Sequence, residues 1–187
     1  VLAGRIASVV AWVAAPFLAH NDVPTRPTPL LKIDGLDDRV IPPSDATSIT
    51  GDFGPLGSTV GEDGWLYVPS RNTTDAWAAA FGANAASREP TPVPTLLDGN
   101  RDFACVSPYE GVDQVVRCSA QSAHSYILGD ALGVPRGGAG MAALSWGFVS
   151  RYGLRPDGAL ESVDDETPLG ASAATLDNCR SFLPWRA

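Results

Sequence analysis

Residues 29–42 read Pro29-Leu30-Leu31-Lys32-Ile33-Asp34-Gly35-Leu36-Asp37-Asp38-Arg39-Val40-Ile41-Pro42. Leu30 to Ile33 form a short run between a proline and the turn pair Asp34-Gly35, the composition of a strand buried inside a sheet. A strand that runs into a turn rich in acids sets carboxylates just beyond its carboxyl end. In open sheets that edge is where ligands and chemistry gather. The reading of this one stretch as strand plus acidic turn sets the expectation for everything around it.

Toward the N-terminus, Ile6 to Ala15 is a continuous apolar run closed by Pro16. Its Val-Val-x-x-Val pattern predicts a second buried strand. Behind Arg5 the same run also fits the charged and apolar regions of a secretory signal peptide, and the strand is the preferred reading. Broken by Pro16, it is too short to span a membrane. Residues 19–29 are a loop crowded with proline.

Toward the C-terminus, residues 42–74 are rich in Gly, Pro, Ser and Thr, with Trp65-Leu66-Tyr67-Val68 as an apolar island. A helix is predicted from about Thr74, with Asp75 in its first turn, to a stop near Gly82 or Asn84. Residues 87–95 read as a Pro-rich turn. Phe103 to Val106 and Gln114 to Ser119 read as two strands joined through Pro108-Tyr109-Glu110-Gly111. Gly138 to Tyr152 reads as a helix with Met141, Leu144, Trp146, Phe148 and Val149 on a broad apolar stripe, stopped by Gly153. Residues 155–187 are expected to be an acidic, weakly ordered tail. The order of elements predicts an α/β fold, the C-terminal half of a doubly wound, mostly parallel sheet with flanking helices, over residues 1–154.

Composition narrows the function. The chain has 187 residues, 44% of them hydrophobic and 18% charged, enough for one globular core. A net charge of −8 argues against nucleic acid or an anionic membrane as partner. The three cysteines lack zinc-ligand spacing, there is no glycine-rich phosphate loop, and no cofactor is expected. Cys105 and Cys118 can pair across the two neighbouring strands, which leaves Cys179 over. Asn72-Thr73-Thr74 is an N-glycosylation acceptor pattern, of use only in a secreted eukaryotic protein.

The chain holds two histidines, His20 and His124, so a general base has few candidates. His20 lies in a polar loop and reads as solvent-exposed. His124 stands just beyond the strand ending at Ser119, as Asp38 stands beyond the strand ending at Ile33. In hydrolases with a Ser-His-acid triad the carboxylate fixes the histidine's tautomer, and the histidine takes the serine's proton. Asp38 before His124 is the chain order of acid and base in one large class of these enzymes. Taken alone, an aspartate after a strand is as often a turn former, and a histidine on a serine-rich loop is more often structural.

At these residues a resemblance becomes specific. Residues 29–42 resemble the P-h-L-x-h-H-G-x-x-D-x-x-V-P segment of the feruloyl esterase and polyhydroxybutyrate depolymerase family, whose aspartate is the triad acid; this implies Asp38 rather than Asp37. Residues 115–126 are similar to the strand and G-G-H-x-W/Y loop that carries the family's histidine, which implies His124. Trp146 to Tyr152 resemble its closing helix, and the apolar run from Gly4 to Ala14 resembles the strand after its nucleophile helix. The family's histidine before the glycine is Asp34 here, and its two glycines before the catalytic histidine are Ser122 and Ala123.

What the resemblance implies is a secreted serine carboxylic-ester hydrolase of the α/β-hydrolase fold, acting on feruloyl or acetyl esters of polysaccharide or on short polyesters. No G-x-S-x-G nucleophile motif occurs in the chain; Gly170-Ala171-Ser172-Ala173 is the nearest fragment. The nucleophile is therefore expected upstream of residue 6, and the chain alone is expected to be inactive. The alternative is a non-catalytic binding module or truncated product built on a hydrolase fold. A half sheet of this kind is also expected to be marginally stable, with an open edge at residues 6–14.

Overall fold

Residues 30–35 lie at the heart of a sheet. The structure is a computed structural model that describes residues 6–19, 24–43, 58–84, 88–95, 103–124 and 137–162. The strand β2 (Leu30–Gly35) is flanked by β1 (Val9–Trp12) and by β7 (Val115–Ala120), both parallel to it. Outside β7 come β6 (Phe103–Ser107) and then the two-residue β5 (Thr91–Pro92), each antiparallel to its neighbour. The sheet order is β1-β2-β7-β6-β5. Two small antiparallel pairs stand apart from it: β3 (Thr59–Val60) with β4 (Leu66–Tyr67), and β8 (Tyr152–Leu154) with β9 (Leu160–Ser162).

This corrects the expectation of a doubly wound, mostly parallel half of an α/β-hydrolase. The sheet is mixed, and the described residues are rich in strands, with two helices, α1 (Ser70–Ala79) and α2 (Gly137–Val149). The physical reason lies in the connections. Only residues 108–114 separate β6 from β7, and a parallel pairing needs a crossover of a dozen or more residues, so these two strands must form a hairpin. Between β1 and β2 the chain runs through Pro16, Pro24, Pro27 and Pro29, which deny a helix its backbone donors. Among the described residues the repeated strand-helix alternation of a doubly wound sheet does not develop.

Strand alternation divides the side chains between two faces. Leu31 and Ile33 of β2, Val116, Cys118 and Ala120 of β7, and Phe103 and Cys105 of β6 pack with Met141, Leu144 and Phe148 of α2. On the opposite face Val115 packs with Ala78 of α1, Tyr109 and Val112. Each fully buried Leu, Ile or Phe contributes about 1.5–3 kcal/mol relative to exposure, so the α2 face carries most of the apolar stabilisation. Cys105 and Cys118 are direct cross-strand partners and form a disulfide. Trp12 is half-buried, and its indole N–H donates to Ser145 Oγ of α2 at 2.9 Å.

Several elements differ from the expectation in detail. Helix α1 begins at Ser70, directly after Pro69, rather than near Thr74. Its first turn is polar because its hydroxyls turn inward: Thr73 Oγ1 and Thr74 Oγ1 donate to the carbonyls of Pro69 and Ser70. Trp146 is exposed on α2 instead of lying in the core. The pair β8–β9 follows α2, with Gly158 at φ +79° in its turn. Val13, buried at the exit of β1, holds φ +38°, an uncommon conformation for a β-branched residue. Its N–H still reaches the Ile33 carbonyl at 2.8 Å. Cys179, His20 and residues 170–173 lie outside the described residues.

Candidate functional site

Because β2 and β7 are parallel neighbours, with Gly35 opposite Ala120, their two exits leave the sheet side by side. Backbone bonds then bind one exit to the other. Leu36 N–H donates to Ala120 O at 2.8 Å, and Asp37 N–H to Ser122 O at 3.0 Å. Gly35 is needed at this crossing: a Cβ there would sit 2.6 Å from Ser122 O and 2.9 Å from Ala123 O. The loop carrying the histidine thus lies directly on the end of β2.

This arrangement brings Asp38 and His124 together. His124 Nδ1 lies 2.9 Å from Asp38 Oδ2, across 86 residues of sequence. Asp38 is 3% exposed. Its other oxygen, Oδ1, accepts the backbone N–H groups of Val40 at 2.8 Å and Ile41 at 2.9 Å. A carboxylate held by two backbone donors is fixed in orientation, and its remaining oxygen selects the His124 tautomer protonated at Nδ1. The basic lone pair is then on Nε2, at the opposite edge of the ring. The neighbouring Asp37 takes no part; its Oδ2 accepts from Gln121 Nε2 at 2.6 Å on the surface.

Asp34, which stands where the resembled family has a histidine, faces the other way. It is buried on the α1 side of the sheet, where its two oxygens accept from Lys32 Nζ and from Ser70 Oγ. Lys32, the chain's single lysine, is 1% exposed. Reading the sequence as an apolar run passed over this cluster, although the i, i+2 spacing of Lys32 and Asp34 within a strand already places them on one face.

The turn between β3 and β4 rests on the loop that carries Asp38. Glu62 N–H donates to Arg39 O at 2.8 Å. A Cβ on Gly61 would lie 2.3 Å from Val40 O, so only glycine lets the turn approach this closely. Tyr67 of β4 is buried behind this turn, and its hydroxyl donates to Asp63 Oδ2 at 2.9 Å. Burial first, then that hydrogen bond, then the charges of Asp63 and Asp38 hold its ionisation above the usual tyrosine range. Asn72 is exposed on the first turn of α1, while Thr74 is fully buried.

Among the described residues no group of three or more His, Cys, Asp or Glu side chains could hold a metal ion, and no helix is long and apolar enough to cross a membrane. Comparison with known proteins found no matching family model, no matching curated protein and no matching solved structure.

Proposed function

We propose that Asp38 and His124 are the acid and the base of a serine carboxylic-ester hydrolase. The observation that carries this reading is the 2.9 Å contact between His124 Nδ1 and a buried aspartate whose second oxygen is held by two backbone donors. Turn formation alone requires the backbone bonds but gives no reason for a histidine to arrive on the free oxygen. The resemblance of residues 29–42 and 115–126 to feruloyl esterase and polyhydroxybutyrate depolymerase segments supports the same two roles.

In this reading a serine Oγ attacks the ester carbonyl while Nε2 of His124 takes its proton. The tetrahedral intermediate collapses, the alkoxide leaves with that proton, and an acyl-serine remains. Water then repeats the sequence and regenerates the serine. Asp38 stays ionised throughout and steadies the imidazolium. The serine belongs to a part of the natural protein outside the described residues. Substrates of this class are esters linked to polysaccharide or short polyesters, and the Cys105–Cys118 disulfide supports a secreted setting.

The test is His124→Ala in the natural full-length protein, assayed on a p-nitrophenyl ester. The expected loss in kcat is on the order of 10³-fold or more; retention of most of the activity refutes the assignment. The absence of a G-x-S-x-G motif from the chain favours a second reading, a non-catalytic binding module. Failure of a fluorophosphonate probe to label the natural protein would select it.

A further inference from the structure

Phe17 and Trp65 are 43% and 60% exposed, yet they are not loose surface side chains. Their ring centroids lie 5.2 Å apart with the planes tilted by 50°. Behind them Tyr67 stacks on Phe17 at 5.2 Å. The backbone beneath is tied strand to strand. Phe17 bridges Tyr67, Leu18 N–H donates to Leu66 O at 2.8 Å, and Val68 N–H donates to Pro16 O at 2.8 Å. The turn that carries Trp65 is fixed as well, by Gly61 N–H to Trp65 O at 3.0 Å and by Trp65 N–H to Asp63 Oδ1 at 3.0 Å.

Two large aromatic side chains are therefore left partly open to solvent on a mount tied by these backbone bonds. Exposed aromatic surface of this kind marks an interaction site more often than it serves folding. The chemistry at its rim narrows the guest. Glu62 and Asp63 are exposed on the same turn; Asp63 already accepts from Trp65 N–H and the Tyr67 hydroxyl, so Glu62 offers the acceptor, and both repel anions in a chain of net charge −8. A guest that presents an apolar ring face and donates hydroxyl hydrogens at its edge satisfies both features, and a neutral sugar does so.

We propose that Phe17 and Trp65 form a stacking subsite for a neutral saccharide. The turn is docked on the Asp38 loop through Glu62 and Gly61, so a sugar bound there lies on the same rim of the sheet as His124. That such a sugar carries the ester to be cleaved rests on the ester-hydrolase reading; the binding itself does not.

The experiment is native affinity electrophoresis of the natural protein in gels containing a soluble neutral xylan or glucan, with tryptophan fluorescence titrations using xylohexaose and cellohexaose. Retardation is expected in the wild type, in His124→Ala, and in Trp146→Ala, a control at the other end of the chain. Trp65→Ala and Phe17→Ala should each weaken binding at least fivefold, and Trp65→Phe should restore most of it. Circular dichroism of each variant separates lost binding from lost fold. Absence of retardation, or retardation indifferent to Trp65→Ala, overturns the proposal. So does preferential binding of tetramethylammonium, which would make the rings a cation site, or a concentration-dependent dimer abolished by Trp65→Ala, which would make them an interface. Sugar binding without esterase activity would refute the catalytic reading alone.

Discussion

Replacing Lys32 by methionine should cost this protein a large share of its stability, even though the new side chain is apolar and of similar length. Lys32 is 1% exposed, and the Asp34 carboxylate is buried beside it on β2. In Lys32→Met the carboxylate keeps the Ser70 hydroxyl but loses its only described cation. Leaving one charge of a buried pair uncompensated costs about 3–5 kcal/mol. Against a total of roughly 5–15 kcal/mol for a natural domain, this is about a fifth of the margin at the least. At about 2–4 °C per kcal/mol for a chain of this size, Tm should fall by roughly 6–20 °C. The assay is urea unfolding followed by circular dichroism, with m-values compared so that a change in midpoint reports stability. The double variant Lys32→Met with Asp34→Leu should recover to within about 1–2 kcal/mol of wild type, because it removes both charges together. The reasoning fails if the single variant unfolds within about 1 kcal/mol of wild type, or if the double variant is worse than the single.

Two further perturbations test the framework around the dyad. Gly35→Ala places a methyl 2.6 Å from Ser122 O and 2.9 Å from Ala123 O. It should cost about 1–3 kcal/mol by overpacking and loosen the Asp38–His124 bond, seen as loss of the single Nδ1-protonated tautomer in long-range ¹H–¹⁵N spectra; a folded variant with an unchanged imidazole spectrum would contradict this. Removing the Cys105–Cys118 bridge by paired serine substitution opens a loop of sequence separation 13. The loop-entropy relation then gives a loss of about 3 kcal/mol, to be read as a lower urea midpoint that added reductant no longer changes.

The two strand exits were legible in the sequence because short apolar runs ending in polar turns announce them, and Asp38 and His124 are the polar groups that stand there. Their approach to each other follows from the parallel pairing of β2 and β7, which the runs themselves do not encode. The same silence about direction explains the miss on the sheet: Phe103–Ser107 is equally apolar whether its neighbour runs with it or against it. Helix α1 was placed too late because Ser70, Thr73 and Thr74 read as loop residues, and only the tertiary contact of Ser70 with Asp34 and the inward hydroxyls reveal the first turn. Trp146 was misplaced because nearly every residue of α2 is small or apolar, so its periodicity does not distinguish a solvent side. Lys32 was hidden by its apolar neighbours, although its partner stands two residues away.

The adjacency of β2 and β7 in the sheet has a consequence for how such a protein can change. Acid and base stand 86 positions apart in sequence, and the segment between them, which passes through β5 and β6 of the same sheet, begins and ends beside strands that are already neighbours. Lengthening a closed loop costs little, about 0.6 kcal/mol for each doubling. Insertions in the connections between the segment's elements can then remodel the rim while α1, β5 and the β3–β4 pair keep their contacts and the acid and base keep their spacing. In the ester-hydrolase reading, substrate recognition can vary in such connections without moving the dyad, whereas the β3–β4 turn, seated on the Asp38 loop through Glu62 and Gly61, is coupled to it.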